Sequence, residues 1–165
     1  QPAYRDIRQE DVSVIIEAHS AVRILSGRYK GKTGAVKGEY VKVQYLDVDL
    51  QPNSVWTYNE TPNDQTLFLY LIGGTLAADE TLSQFEELAC AMLMSASSEK
   101  NQENDELRVK AGPEGARFLL IAGSPLKEPV AWGGPIVMNT DEELNLAFTE
   151  LDNRTFIKHE KPLEY

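Results

Sequence analysis

The sequence predicts an all-β domain, an antiparallel sandwich or barrel, followed by one α-helix. Two features of the 165 residues lead to this prediction. Short segments in which apolar and polar residues alternate are separated by turn residues, as is typical of half-buried strands. A single late segment has the spacing of an amphipathic helix, and many short strands with one helix favour an antiparallel architecture.

Alternation is clearest in the first half of the chain. Strands are predicted within Val12–Ile16, Val22–Ser26 and Val41–Val48, where β-branched and aromatic residues recur at alternate positions. Pro52-Asn53 indicates a turn, and Val55–Tyr58 follows it as a further strand.

Longer apolar runs appear in the second half. Leu67–Ile72 is apolar throughout, which predicts a central strand, and Gly73-Gly74 is predicted to turn the chain after it. Leu107–Lys110 and Arg117–Ala122 flank the turn residues Gly112–Gly115, and this pattern predicts a hairpin.

One helix is well marked and a second segment is ambiguous. Thr140 can cap a helix, and Glu143 three residues later completes a capping box. Leu82–Met94 fits helical spacing, yet strands are predicted on both sides of it, and Ala89–Met94 could instead continue the sheet. Ser95–Glu106 is polar and is predicted to be an exposed loop. The apolar face of the well-marked helix consists of Leu144, Ala147, Phe148 and Leu151.

The predicted organisation is a linker over residues 1–10, a barrel over 11–139, a helix over 140–152 and a charged tail over 153–165. The chain begins with Gln1-Pro2 rather than Met, so we expect that it was cut from a longer protein or has lost its start.

Charge and composition exclude several classes of partner. The net charge of −10 argues against a general nucleic-acid surface and against binding to an anionic membrane. The chain has no apolar run of about 20 residues, the length that a membrane helix needs. Cys90 is the single cysteine, so no internal disulfide can form; this fits a reducing compartment and predicts a cytoplasmic protein.

A glycine-rich basic segment, Gly27–Thr33, resembles a phosphate-binding loop, but three residues rather than four separate its glycines. Val22–Val36 also resembles the KOW motif of ribosomal and transcription factors, in which a basic loop joins two strands. RNA or protein binding here is a weaker hypothesis than a glycine-built turn with solvated cations. Those cations are Arg28, Lys30, Lys32 and Lys37.

Residues that catalysis or metal binding would need are few. His19 and His159 are the only histidines, and each is predicted to be an ordinary surface residue. Cys90 lies among apolar neighbours, so we predict a core thiol. Trp56 and Trp132 are predicted to be buried. We therefore predict no catalytic residue, no metal site and no cofactor in this chain.

The C-terminal third resembles the closing segment of the pirin family. The matching strings are Arg117–Leu126, Glu128–Val130 and Gly134–Thr140, followed by Glu142-Glu143 and Ala147-Phe148, in the family's order and spacing. Tyr4-Arg5-Asp6-Ile7 is similar to the family's inter-domain linker, and further short matches extend the resemblance over nearly the whole chain. It is weakest across residues 75–106.

The resemblance implies a cupin-type jelly-roll barrel, an antiparallel double-stranded β-helix, with one C-terminal α-helix. Pirins have two such barrels, and this chain corresponds to the second. The family's metal, usually iron, is held in the first barrel by three His and one Glu, none of which can be carried over to this chain. Some members resemble quercetin dioxygenases in activity, and others act as transcriptional co-regulators.

Two classes of function follow. The leading hypothesis is a structural role without catalysis, in which the chain packs against a first barrel or forms a dimer; the candidate interface is the helix face Leu144, Ala147, Phe148 and Leu151. The alternative is a small-molecule or effector site inside the barrel, lined by Trp56, Tyr58, Phe68 and Tyr70. Dioxygenase activity would require a separate first barrel that carries the metal.

Overall fold

The computed structural model describes residues 5–38, 41–60, 65–87, 90–94 and 106–158. These residues belong to two compact units, Arg5–Pro125 and the part of the chain from Leu126 onward. The elements are a 3-10 turn (Gln9–Asp11), β1 (Ser13–Ile16), β2 (Ser20–Ser26), β3 (Arg28–Tyr29), β4 (Lys32–Thr33), β5 (Val43–Leu50), β6 (Val55–Tyr58), β7 (Thr66–Ala77), β8 (Phe85–Glu86), β9 (Ala91–Met94), β10 (Leu107–Gly123), β11 (Ala131–Gly133), β12 (Ile136–Met138) and α1 (Asp141–Asp152).

Eight strands of the first unit form one continuous antiparallel sheet with two parts, called here the larger and the smaller sheet, which share their longest strands. The larger sheet has the order β1-β2-β5-β10-β7-β9, and the smaller has the order β6-β10-β7-β8. Strands β7 and β10 run through both, so the two sheets fold over each other as in a jelly roll. The predicted all-β antiparallel fold with one C-terminal helix is confirmed.

The shared strands bend where the sequence analysis expected turns. Strand β7 continues through Gly73-Gly74, and β10 continues through Gly112–Gly115, with a register shift between Ala111 and Ala116. The predicted turn and hairpin are therefore wrong. Glycines inside a strand allow a bulge and a sharp bend, and here each bend carries its strand from one sheet to the other.

Alternation along the strands places the core between the two sheets. In β2 and β5 the buried hydrophobic residues are Val22, Ile24, Leu46, Val48 and Leu50, which occupy alternate positions of each strand. The same hydrophobic cluster contains residues from both sheets, among them Leu69, Leu71, Leu76, Val109, Phe118 and Leu120.

Several predicted segments differ or lie outside the described residues. The ambiguous segment Leu82–Met94 contains strands β8 and β9, so the helical reading is wrong there; residues 88 and 89 are outside the described part. The predicted loop Ser95–Glu106 also lies outside it, apart from Glu106. Among the helices that the structure describes, none is long and apolar enough to cross a lipid bilayer.

The second unit contains the hairpin β11–β12 and helix α1, which pack together. Thr140 caps α1: its hydroxyl accepts a hydrogen bond from Glu143 N (3.2 Å), and the Glu143 carboxylate accepts one from Thr140 N (3.1 Å). The predicted capping box is confirmed. Leu144 and Phe148 lie against Gly133 so closely that an added Cβ would be 2.9 Å from the Phe148 ring. The hairpin, assigned to the barrel by the sequence analysis, groups with the helix.

Replacing Thr140 with alanine is expected to destabilise α1 by about 1 kcal/mol, because the cap loses its acceptor for a helix N–H. Amide hydrogen exchange in the first turn measures this. Thr149→Ala is the matched control, since Thr149 sits inside the helix and bonds back to Asn145 O; alanine there is expected to be neutral or slightly stabilising. Equal effects of both changes would contradict the assigned cap.

Candidate functional site

Aromatic side chains fill the space between the two sheets. The Trp56 ring centroid lies 5.7 Å from that of Tyr58, 5.8 Å from that of Phe118 and 6.0 Å from that of Tyr29. Trp56 and Tyr58 come from the smaller sheet, Phe118 from the larger, and Tyr29 enters from the β3–β4 hairpin. All four are buried. Contacts at these distances are those of packed aromatic pairs in a core.

A chain of polar contacts links this cluster to the surface. Trp56 Nε1 donates to the Tyr29 hydroxyl (3.2 Å), which donates to a Glu17 carboxylate oxygen (3.5 Å). Glu17 is also paired with the ammonium of Lys30. Burial raises the pKa of the Tyr29 phenol, and the hydrogen bond to Glu17 raises the pKa of Lys30. The network therefore holds the β3–β4 hairpin over the core with a neutral phenol and a charged ammonium.

The four residues predicted to line a cavity do not share one surface. Trp56 and Tyr58 face the core, where they contact each other. Phe68 and Tyr70 alternate with buried leucines in β7, so they lie on the opposite side of the larger sheet, and 40% of Tyr70 is exposed. Because this part of β7 is apolar on both faces, its sequence does not show which residues are buried and which face outward.

Metal ligands are not brought together in the described part of the chain. No three His, Cys, Asp or Glu residues there lie close enough to hold an ion. His19 is exposed in the turn between β1 and β2, with Nδ1 3.2 Å from Gln51 Oε1, and His159 lies outside the described residues. Phenols and an indole N–H occupy the interior, and this set of groups does not fit the iron of a cupin site.

Two other predicted core residues lie elsewhere. Cys90 is half-buried rather than a core thiol, with Sγ 3.8 Å from a Glu86 carboxylate oxygen. Trp132 is 75% exposed on β11, because that hairpin turns its other face toward α1. Its indole N–H donates to Gly134 O (2.7 Å), which fixes the ring at the surface.

In the predicted helix interface, only part of the face is covered within the second unit. Ala147 is buried and Leu144 is half-buried, whereas Phe148 and Leu151 remain exposed. The hairpin β11–β12 is thus one partner of this face, and its role between chains stays a prediction.

Two cations of the basic loop make contacts inside the chain. Besides its pairing with Glu17, Lys30 lies over the Tyr29 ring, 5.5 Å from the centroid. Lys32 Nζ donates to Val14 O (3.1 Å) at the edge of β1. The loop is a tight hairpin in which Lys30 and Gly31 both have positive φ, as the glycine-built turn predicts. These contacts reduce the positive charge available for phosphate groups.

The side of the larger sheet that faces away from the core, hereafter the outer face, is mostly apolar. Register aligns Tyr45, Ile121, Phe68 and Leu93 in one row across four strands. A parallel row contains Arg23, Asp47, Leu119, Tyr70 and Ala91. Leu93 is 69% exposed, and nothing in the sequence pattern alone marks this surface. Antiparallel sheets with one solvated face usually alternate apolar with polar residues, and the outer face departs from that pattern.

Charged residues are concentrated at one end of the outer face. Arg117 donates two hydrogen bonds to the Asp47 carboxylate, from Nε to Oδ1 (2.9 Å) and from Nη2 to Oδ2 (2.7 Å). The Asp47 carboxylate raises the pKa of Arg117. Arg23 Nη1 lies 3.7 Å from Asp47 Oδ2, which is beyond hydrogen-bond length. Asp47 itself is almost fully buried by its neighbours. We call Arg23, Asp47 and Arg117 the arginine cluster.

Comparison with known proteins gives consistent matches. Residues 45–157 match the family described as the Pirin C-terminal cupin domain. The chain is 30% identical to human Pirin over 157 residues, which cover 93% of this chain and 50% of that protein. It is 30% identical to Pirin-1 of Arabidopsis thaliana over 155 residues, which cover 93% of this chain and 51% of that protein.

A solved structure agrees with these matches. The crystal structure of quercetin 2,3-dioxygenase from Acinetobacter baumannii superposes with a TM-score of 0.78 at 25% identity, covering 93% of this chain and 50% of that one. The two-sheet jelly roll is therefore a cupin-type domain, as the resemblance implied. The chain belongs to the pirin family and matches its C-terminal cupin domain. It spans about half the length of these relatives.

Proposed function

We propose that this chain is the structural half of a two-barrel protein and docks onto a first cupin barrel through its outer face. The observation that carries the proposal is the apolar character of β7 and β10 on both sides of the larger sheet. Strands buried on both faces have such near-continuous apolar runs. A first barrel is the occupant that fits, because the matched family domain is C-terminal and the chain spans about half of its relatives.

Catalysis is assigned to the partner rather than to this chain. The interior that would hold a substrate is occupied by the packed rings of Tyr29, Trp56, Tyr58 and Phe118. This packing also gives less support to the alternative of a small-molecule site in the barrel. Any dioxygenase activity like that named for the Acinetobacter baumannii protein would thus belong to the two-barrel assembly.

We place the chain in the cytoplasm, because its single cysteine fits a reducing compartment.

The first test measures binding between the purified chain and a separately purified first cupin barrel of the same organism by sedimentation. We expect a one-to-one complex. Tyr70→Glu is expected to weaken it by about 30-fold or more, since a carboxylate would be buried among apolar side chains without a partner. Val55→Glu is the matched control: Val55 is also exposed on a strand, but it belongs to the smaller sheet.

Other outcomes would overturn the proposal. Equal affinity for the Tyr70→Glu variant and the unchanged chain would show that the outer face is not the docking surface. A homodimer that Tyr70→Glu dissociates, without binding to the first barrel, would assign the outer face to a second copy of this chain instead.

A further inference from the structure

The arginine cluster contains two guanidinium groups and one carboxylate, and only one of the two guanidinium groups makes hydrogen bonds to that carboxylate. Arg117 takes both oxygens of Asp47 in a bidentate pair. Arg23 is left with a 3.7 Å contact to Oδ2, and its Nη1 is buried without a hydrogen bond among the described residues. Asp49 lies on the neighbouring row, yet it makes no ion pair with either guanidinium in the described part of the chain. Buried donors of this kind normally have an acceptor.

The surroundings of Arg23 are those of an interface anchor. Val14 is its register partner on β1, and Leu119 follows Asp47 in the same row, so apolar side chains flank the charged group on both sides. Nη1 itself is buried, but the Arg23 side chain as a whole is 38% exposed, so a partner can approach the rest of the side chain. Arginines ringed by apolar contacts are enriched among residues that dominate binding energy.

We propose that Arg23 is the recognition residue of the outer face and binds an aspartate or glutamate carboxylate presented by the docking barrel. The planar guanidinium pairs with a carboxylate through two parallel hydrogen bonds, whereas Asp47 directs its two hydrogen bonds to Arg117 and stays 3.7 Å from Nη1 of Arg23. A second carboxylate would give Arg23 its own acceptor when docking excludes water. This inference rests on the proposed docking of a first barrel.

The test combines two measurements that move in opposite directions. Arg23→Met keeps the apolar stem but removes the unmet donor. The urea midpoint of the chain alone is therefore expected to stay constant or rise. Affinity for the first cupin barrel is expected to fall by about 10-fold or more, and the salt dependence of binding is expected to weaken. Arg28→Met, at an exposed arginine of β3, is the control and is expected to change neither quantity.

Arg117→Met separates recognition from structure. It leaves buried Asp47 without its bidentate partner, so the urea midpoint of the chain alone is expected to fall.

The binding and stability results together distinguish the docking proposal from the proposal about Arg23. If Tyr70→Glu weakens binding but Arg23→Met does not, the docking face stands and the role of Arg23 is wrong. If Arg23→Met lowers the urea midpoint, Arg23 is structural and the inference fails. If neither variant changes binding, both proposals fail.

Discussion

Replacing Gly74 with alanine is expected to lower the free energy of unfolding by about 4 kcal/mol. Gly74 has φ +70° at the bend of β7, and a side chain there costs about 1–2 kcal/mol from backbone conformation alone. An added Cβ would also lie 2.0 Å from Gly115 O, a backbone atom of the crossing strand β10. Relieving that overlap requires the two shared strands to separate, so the loss extends to both sheets. Urea denaturation measures the effect.

Gly31→Ala is the matched control for this change. Gly31 has a similar φ of +81°, but no atom lies within 4 Å of an added Cβ, since it sits in the open turn between β3 and β4. Only the conformational cost remains, and the expected loss is about 1 kcal/mol. Equal losses for the two variants would contradict the close approach of β7 to β10.

Replacing Phe118 with alanine is expected to lower the free energy of unfolding by about 4 kcal/mol, which is in the range for large buried aromatic residues. Phe118 is fully buried in β10, and its ring meets Trp56 at an angle of 64°, so the change leaves a cavity at the contact between the two sheets. Phe118 joins the larger sheet to the aromatic cluster that closes the interior. The measurement is the free energy of unfolding in urea, with the fluorescence of Trp56 followed in a Trp132→Phe background as a local probe.

Phe85→Ala provides the comparison for Phe118→Ala. Phe85 is 40% exposed at the edge strand β8, where its ring lies 6.0 Å from the ammonium of Lys110. Removing the Phe85 ring leaves no cavity, so the free energy of unfolding is expected to fall by less than about 1 kcal/mol. A cost for Phe118→Ala as small as this would mean that the interior is loosely filled, and it would revive the alternative of a ligand inside the barrel.

Local sequence patterns predicted much of the fold. Alternation in Val22–Ser26 and Val41–Val48 predicted strands β2 and β5, because a half-buried strand shows its period directly, but it did not decide which face of β5 lies in the core. The turn at Pro52-Asn53 and the capping box at Thr140 were predicted for the same reason: their hydrogen bonds close within four residues. The family resemblance supplied the jelly roll, which the comparisons confirmed.

The outer face and the arginine cluster could not be predicted from the sequence. Leu67–Ile72 is apolar at every position, so nothing in it distinguishes buried Leu69 from exposed Tyr70. The outer face appears only when register aligns residues from five strands, among them Arg23 and Asp47, which are 24 positions apart in the sequence but adjacent in the sheet. Trp132 illustrates the same point, since its exposure depends on which side of the hairpin α1 covers.

The period of apolar residues determined strands such as β2, β5 and β6, and the capping box determined where the helix begins, because these properties depend on local spacing and local hydrogen bonds. The cupin-type family followed from the matching strings of the C-terminal third, not from periodicity. Only the tertiary structure decided whether the chain turns or continues as a strand at its two glycine-containing segments. Gly73-Gly74 and Gly112–Gly115 would suit turns in isolation, but β10 pairs with β6 at one end and β5 at the other. Continuing the strand satisfies backbone groups in both sheets, whereas a reversal would leave them unpaired.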